Sequence, residues 1–287
     1  MTSNLWTDLF GVGFTQRWYD VKGVSTRVLE AGPPDAPPLI FLHGVNGHAE
    51  TYIRNIGPHA VDFRVYALDF VGHGLSGKPL DRSYEIETYI RHVLDFMDVI
   101  GVERANISGE SLGGWVATKL AVAHSARVIK LVLNTPGGLN AEPDVMARLK
   151  TMTLDAVTEP TREKVRKRLE WLFKDPSMVP DDLVEMRFRI YSQPGYREVT
   201  ERILCLQEMD VRQRNMVREE DLQRLSMPTM LVWTTADPIA GVDVGYWTDS
   251  HIPNSRFLLM DASGHWPQYE QADLFNREHL AFLTGSG

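Results

Sequence analysis

The sequence Ile107-Ser108-Gly109-Glu110-Ser111-Leu112-Gly113-Gly114 decides the fold, because it sets a Gly-x-Ser-x-Gly pattern between two different secondary structures. Residues 105–108 have the apolar character of a strand end, and residues 112–124 have an apolar helix face. A serine on such a sharp strand-to-helix turn carries its hydroxyl above the sheet edge, where it can act as a nucleophile. We therefore predict that Ser111 is a nucleophile; the alternative is a tight turn with a buried serine.

A continuous apolar run at residues 39–42 predicts a strand that is buried on both faces of a sheet. Further strands are predicted at residues 63–68, 128–133, 229–234 and 256–260. Residues 17–20 and 26–30 alternate in polarity around Lys22-Gly23, which predicts an antiparallel hairpin at the sheet edge. Residues 84–100 form an amphipathic pattern that predicts a helix between two of the strands.

The strand pattern is interrupted from about residue 137 to about residue 225, where only helical periodicity is found. Residues 161–173, 181–191 and 198–209 are the predicted helices, and the last helix of the chain covers residues 275–282. This order predicts an α/β fold with a mostly parallel central sheet, helices on both faces and a helical cap inserted after the sixth strand. The predicted core domain is residues 1–136 and 226–287, and the predicted cap is residues 137–225.

Composition excludes several classes of protein. The chain has 287 residues, 43% of them hydrophobic and 24% charged, which is typical of a soluble globular domain. Its net charge of −8 argues against a nucleic-acid partner and against an anionic membrane surface. A single cysteine, Cys205, fits a reducing compartment, and residues 1–8 lack the charge and apolar run of a signal peptide. We therefore expect a cytoplasmic protein.

A serine nucleophile needs a base and an acid that orients the base, and in Gly-x-Ser-x-Gly enzymes both follow the serine in the chain. His265 lies in a loop after the predicted strand at 256–260, and Asp237 directly follows the strand at 229–234. Loops at the same end of parallel strands converge, so we predict His265 as the base and Asp237 as the acid. Asp261 is the rival acid, and Glu110 is expected to point away from the base.

The oxyanion of the intermediate needs two N–H donors, which we place at the backbone of Leu112 and of Val45. Leu112 follows the nucleophile, and Val45 lies in the loop after His43-Gly44. The sequence has no Cys/His spacing of a metal site and no Gly-x-Gly-x-x-Gly after a strand. No metal and no cofactor are therefore expected.

Four motifs together resemble the α/β-hydrolase superfamily. They are Leu42-His43-Gly44, the segment from Asp69 to Ser76 with Gly72-His73-Gly74, Gly109-Glu110-Ser111-Leu112-Gly113-Gly114, and Gly264-His265-Trp266. The run from Gly264 to Asn276 is similar to that of the carbon–carbon bond hydrolases that act on meta-ring-fission products of aromatic degradation. The resemblance implies a small-molecule substrate and is compatible with a homodimer.

The resemblance also implies residues that bind the substrate. Trp266 would line the site, and an arginine of the cap would hold the substrate carboxylate; Arg187 is the best positional match, with Arg189 as the alternative. The chain departs from the family pattern at Glu110, where Asn is frequent, and in the loop that contains Asn46 and His48. These positions approach the carboxylate end of the substrate in the family, so all three are expected substrate-binding residues.

Two enzymatic functions and one binding function fit these patterns. The first is hydrolysis of a carbon–carbon bond in a 2-hydroxy-6-oxohexa-2,4-dienoate, as the resemblance implies. The second is a carboxylesterase or lactonase with the same catalytic groups. The third is a hydrolase-like receptor that binds a small molecule under the cap without turning it over.

Overall fold

One mixed β-sheet runs through the computed structural model, which describes residues 4–285. Residues 1–3 and 286–287, which the predicted core domain includes, lie outside the described residues. Within the described part, the strands are β1 (Phe14–Val21), β2 (Val24–Ala31), β3 (Pro38–Leu42), β4 (Arg64–Leu68), β5 (Ala105–Glu110), β6 (Val128–Asn134), β7 (Thr229–Thr234) and β8 (Ser255–Met260).

Helices cover the sheet and fill the stretch between β6 and β7. In residues 4–285 they are α1 (Leu5–Asp8), α2 (Ile53–His59), α3 (Ile86–Val99), α4 (Leu112–Ala123), α5 (Pro143–Thr158), α6 (Arg162–Glu170), α7 (Asp181–Tyr191), α8 (Tyr196–Ile203), α9 (Met209–Asn215), α10 (Glu219–Gln223), α11 (Val242–Ser250), α12 (Pro267–Glu270) and α13 (Ala272–Thr284).

The strand order is β1-β2-β4-β3-β5-β6-β7-β8. β1 and β2 form the predicted antiparallel hairpin, β2 pairs antiparallel with β4, and the remaining neighbours are all parallel. The prediction of a mostly parallel sheet is therefore confirmed. Because β5, β7 and β8 run in the same direction, the loops that follow them leave the same edge of the sheet.

Both faces of the sheet are covered, and β3 shows how. Ile40 and Leu42 pack into the apolar cluster that contains α3 and α4, whereas Leu39 and Phe41 pack into the cluster that contains α2 and α13. Successive side chains of a strand point to opposite faces, so a strand buried on both sides must be apolar at every position. This explains why residues 39–42 form a continuous apolar run.

Helices α5 to α10 form the insertion, and it follows the sixth strand as predicted. The division of the chain into two domains at residues 137 and 225 stays a prediction. The predicted helix at 161–173 is shorter, since α6 ends at Glu170. α5 was not predicted as a separate helix, although Pro143 at its first turn is a helix-start signal.

The predicted single helix at 198–209 is wrong. The chain forms α8, then a 3₁₀ helix at Leu204–Gln207, and then α9. The carbonyl of Leu206 accepts a hydrogen bond from Arg212 Nη1 at 3.2 Å. In a continuous helix, a backbone N–H would bond to this carbonyl, whereas here a side chain of α9 does so. Among the described residues, no helix has both the length and the apolar content that a bilayer crossing requires.

Candidate active site

Ser111 lies at the turn between β5 and α4 with φ 52° and ψ −115°, a left-handed conformation that non-glycine residues rarely adopt. Its N–H donates to the carbonyl of Asn134 on β6 at 3.1 Å. The turn is tight enough that a Cβ on Gly113 would lie 2.0 Å from the Leu42 carbonyl oxygen. Residues that the surrounding structure holds in such rare backbone conformations cluster at functional sites.

His265 and Asp237 meet at the same edge of the sheet. His265 Nδ1 lies 2.8 Å from Asp237 Oδ2, and Asp237 Oδ1 accepts from the N–H of Ile239 at 2.8 Å. The His265 N–H donates to the carbonyl of Leu172 at 2.7 Å, which ties this loop to the insertion. Burial lowers the pKa of His265, but the charge and hydrogen bond of Asp237 together with the charge of Glu110 raise it above its usual value. Asp261, the rival acid, is exposed.

The other ring nitrogen of His265 faces the cavity that contains Ser111. Within residues 4–285, Nε2 has no hydrogen-bond partner, although it is buried. Ser111 and His265 line the same cavity. The structure therefore brings the three predicted triad residues together, with the His–Asp hydrogen bond formed and the Ser–His hydrogen bond not formed.

Glu110 does not point away from the base, which corrects the sequence prediction. Its Oε1 lies 3.3 Å from His265 Nε2, and its side chain is 1% exposed. As the last residue of β5, Glu110 shares a sheet face with Ser108, and the loop that carries His265 folds back over that end of the strand. Burial raises the pKa of the Glu110 carboxyl to about 7, against the opposing attraction of His265.

A narrow cavity opens above Ser111, and we call it the polar cavity. Two buried arginines from the insertion contribute to its wall, Arg168 on α6 and Arg187 on α7. Its lining residues are Gly44, Val45, Gly47, Glu110, Ser111, Leu149, Arg168, Leu172, Arg187, Ile239, His265 and Trp266.

The two arginines of the polar cavity keep unpaired N–H groups. Arg187 Nη1 donates to the Tyr191 hydroxyl at 3.3 Å, and Arg168 Nε donates to Thr153 Oγ1 at 3.3 Å. Arg187 Nε and Arg168 Nη1 have no partner among the described residues. Burial lowers the pKa of Arg168 to about 10, which leaves it charged at neutral pH. Two buried cations with free donors make this cavity suited to an anionic group.

The structure distinguishes Arg187 from Arg189 by helix phase. The guanidinium carbon of Arg187 lies 4.9 Å from the centre of the Trp266 ring, and both side chains line the polar cavity. Arg189, two residues further along α7, is 75% exposed and pairs with Glu185 at 2.7 Å. Only Arg187 of these two can reach a ligand beside Ser111.

A second narrow cavity meets the polar cavity at Ser111, and we call it the Trp115 cavity. The two cavities share Val45, Ser111, Leu149 and Ile239. The other lining residues of the Trp115 cavity are Leu112, Trp115, Gly137, Met146, Leu206, Gln207 and Arg212. A ligand that spans both cavities would pass directly over Ser111.

The predicted oxyanion donors border the cavities. Val45 lines both of them, and Leu112 lines the Trp115 cavity as the first residue of α4. A first-turn N–H has no acceptor within its own helix, so the N–H of Leu112 is available to a ligand. The assignment of both donors stays a prediction.

Asn46 and His48 are buried, but neither lines the two cavities. Asn46 Nδ2 donates to Thr200 Oγ1 at 3.0 Å, and its carbonyl accepts from the Tyr191 hydroxyl at 3.1 Å. His48 Nδ1 lies 2.7 Å from Glu50, which also pairs with the buried guanidinium of Arg27. In this structure both residues hold the loop that carries Val45, rather than facing the space above Ser111.

Arg168 and Arg212 are cavity residues that the sequence reasoning did not identify. Arg168 lies in the charged stretch of α6, which suggests a solvated face. A signal was present, since Arg168 follows Val165 by three residues and precedes Leu169, so it shares their buried helix face. The sequence around Arg212 gave no comparable signal, because α9 is too short to show a repeating pattern of buried positions. In the described part of the chain, no cluster of His, Cys, Asp and Glu side chains could hold a metal ion.

Comparison with known proteins tests the family resemblance. Residues 37–272 match the alpha/beta hydrolase fold family. The chain belongs to this family. The predicted fold class is therefore confirmed, and so is the prediction that the chain is a hydrolase.

Individual relatives of this hydrolase cover almost its whole length. It is 30% identical over 275 residues to a 2-hydroxy-6-oxo-6-phenylhexa-2,4-dienoate hydrolase of Comamonas testosteroni, with 92% of this chain and 93% of the relative covered. It is 29% identical over 273 residues to a 2-hydroxy-6-oxononadienedioate/2-hydroxy-6-oxononatrienedioate hydrolase of the same species, with the same coverage. A solved 2-hydroxy-6-oxo-6-phenylhexa-2,4-dienoate hydrolase from Rhodococcus sp. strain RHA1 matches with a TM-score of 0.85 at 25% identity, covering 96% of this chain and 100% of that one.

Proposed function

We propose that this hydrolase cleaves a carbon–carbon bond in a 2-hydroxy-6-oxohexa-2,4-dienoate, a meta-ring-fission product of aromatic degradation. The observation that supports this most is the pair of buried arginines, Arg168 and Arg187, with free donors in a cavity beside Ser111. A guanidinium binds a carboxylate well in a dry site, where an unpaired cation is costly. An ester without an acid group would leave both cations without an anionic partner.

In the proposed mechanism, the substrate acid lies against Arg168 and Arg187, and its C6 carbonyl lies over Ser111. The 2-hydroxydienoate first becomes its keto form, as the proton of the 2-hydroxyl is lost and a proton is added at C5. His265 Nε2 then takes the Ser111 proton while Ser111 Oγ attacks C6, and Asp237 holds the imidazolium through Nδ1. The backbone N–H groups of Val45 and Leu112 receive the oxyanion.

Bond cleavage then depends on the polar cavity. When the C5–C6 bond breaks, its electron pair moves through the C3–C4 double bond to the C2 oxygen and forms a dienolate. The guanidinium groups of Arg168 and Arg187 would stabilise this negative charge where it develops. The dienolate takes the proton from His265 as it leaves. Water then hydrolyses the acyl group on Ser111, and a proton of this water passes through His265 to Ser111 Oγ, which releases a carboxylic acid and restores the hydroxyl.

Glu110 is compatible with an acidic substrate in this arrangement. A carboxylate at the wall of the polar cavity would repel a substrate acid if it were ionised and unpaired. Its pKa is raised to about 7 by burial, and its Oε1 faces the His265 ring at 3.3 Å. A neutral Glu110 beside the neutral His265 base does not repel the acid when the substrate binds.

The proposal is tested with two substrates and two arginine variants. A 2-hydroxy-6-oxohexa-2,4-dienoate should be hydrolysed faster than a p-nitrophenyl ester of matched acyl size. Arg187→Ala should lower kcat/KM for the dienoate by an amount that corresponds to about 2 to 4 kcal/mol of lost transition-state stabilisation. The loss for the neutral ester should be much smaller. Arg189→Ala, on the exposed side of the same helix, is the matched control and should change neither rate. If wild type prefers the ester and Arg187→Ala affects both substrates equally, the proposal is wrong and a carboxylesterase is the better assignment.

A further inference from the structure

Arg212 places a buried positive charge in the Trp115 cavity, whereas Arg168 and Arg187 line the polar cavity. The side chain is 4% exposed and lines this cavity together with Trp115, whose ring centre lies 5.0 Å from the guanidinium carbon. Its Nε donates to the Asn140 carbonyl at 2.6 Å, and its Nη1 donates to the Leu206 carbonyl at 3.2 Å. These two carbonyls fix the plane of the guanidinium.

No carboxylate in the described part of the chain pairs with Arg212. Its described contacts are two neutral carbonyls and one aromatic ring, whereas Arg27, another buried arginine, pairs with Glu50 and Asp69. Burial lowers its pKa to about 10, so it stays charged at neutral pH. A buried cation without an anionic partner is unfavourable unless a ligand supplies the negative charge.

Gln207 adds a second polar group to the same wall. The residue is 9% exposed, it lines the Trp115 cavity, and its Oε1 has no hydrogen-bond partner among residues 4–285. The two ends of a glutamine amide differ only by a half-turn of the group, so the unpaired end can present N–H donors to an acceptor. A cavity that held only a hydrocarbon group would leave this amide and the Arg212 charge unsatisfied.

We propose that the Trp115 cavity binds a carboxylate at the end of the substrate's acyl group, so that the preferred substrate is a dicarboxylate with its scissile bond over Ser111. This rests on the proposed function for the reaction and deepens it by naming the substrate class. One acid group lies against Arg168 and Arg187, and the other lies against Arg212 and Gln207. The acid released from Ser111 is then itself a dicarboxylate.

The test compares two dienoates that differ at one group. One carries a 2-carboxyethyl group on C6, and the other carries the isosteric primary amide. Wild type should hydrolyse the diacid with a kcat/KM about 10- to 100-fold higher than that of the amide, since charge-assisted hydrogen bonds are lost with the amide. Arg212→Gln should remove most of this preference, because it lowers the diacid value far more than the amide value. Equal values in wild type, or equal losses for both substrates in the variant, would overturn the proposal.

Controls separate recognition from folding and from the nature of the reaction. Arg214→Gln, on the same short helix but exposed and paired with Glu85, should keep the preference. If Arg212→Gln does not fold, Gln207→Leu should still reduce the ratio of the two kcat/KM values, and an unchanged ratio counts against the proposal. If wild type hydrolyses neither dienoate, the proposed function fails. Methyl esters with the same two acyl groups then test the Trp115 cavity alone. A preference for the ester with the acid group over the ester with the amide would still support a carboxylate site in that cavity.

Discussion

Glu110 Oε1 lies 3.3 Å from His265 Nε2, on the opposite side of the ring from Asp237. Two carboxylates therefore face the two nitrogens of one imidazole, and both favour its protonated form. Burial and Arg168 act in the other direction, but the pKa of His265 still lies above its usual value. We expect the acid limb of kcat/KM in wild type to have its midpoint above pH 6.5.

Glu110→Gln should move this limb to lower pH. Removal of the anion makes protonation of His265 less favourable, so the neutral base persists to a lower pH. We expect the midpoint of the acid limb to fall by about one pH unit. The measurement is kcat/KM from pH 5 to 9 for both enzymes. Asp261→Asn removes an exposed carboxylate from the loop before His265 and should leave the midpoint in place. An unchanged midpoint in Glu110→Gln would show that the two groups do not interact in solution.

Ser111→Ala should reduce kcat by about 10³-fold or more without unfolding the protein. Alanine retains a Cβ, so the turn between β5 and α4 keeps its shape and loses only the hydroxyl. Steady-state kinetics and a thermal melt on the same preparation check both parts. A variant that keeps a tenth of the wild-type kcat would mean that Ser111 is not the nucleophile.

Asp237→Asn should lower kcat by up to about 10⁴-fold, because the imidazole loses the group that fixes its tautomer. The asparagine oxygen can still accept the N–H of Ile239, so the loop should keep its geometry. Asp261→Asn serves as the comparison, since it changes an exposed acid near the same base. If Asp261→Asn is inactive and Asp237→Asn is not, the assignment of the acid must be reversed.

Acid should destabilise the fold through a buried histidine pair. His59 Nε2 lies 2.8 Å from His279 Nδ1, which joins α2 to α13. Burial lowers the pKa of His59 to about 4 and that of His279 well below its usual value, so both are neutral in the fold. The unfolded chain binds these protons near pH 6.5, so stability is present above that pH and is lost as the pH falls from 6.5 toward 4.

Urea unfolding at several pH values between 5 and 8 measures this loss. Each buried histidine contributes a slope of at most about 1.4 kcal/mol per pH unit. His59→Gln should reduce the slope whatever its effect on the absolute free energy of unfolding.

The sheet was predictable because its signals are local. Strands buried on both faces are apolar along their length, and residues 39–42 and 230–233 show this directly. The serine turn is local too, since Gly109 and Gly113 are required by the close approach of neighbouring backbone. His265 and Asp237 could be chosen because parallel strands bring the loops that follow them to one edge.

The cavity walls were less predictable, because they depend on how distant segments pack. The direction of Glu110 becomes meaningful only when the loop after β8 folds over β5, and nothing near residue 110 specifies that contact. Arg168 lies in a helix with many charged residues, so the composition of the helix does not indicate that its side chain is buried. The spacing of three residues from Val165 does place it on the buried face. Arg212 bonds to the carbonyls of Leu206 and Asn140, one of them 72 residues away in sequence.

The three arginines of the two cavities all come from helices α6, α7 and α9, whereas Ser111, Asp237 and His265 all follow strands of the sheet. The charged groups proposed to bind the substrate and the predicted catalytic groups therefore lie in separate stretches of the chain. Under the proposed function, substitutions within the insertion alone can change the charge offered to a ligand while the predicted triad stays unaltered.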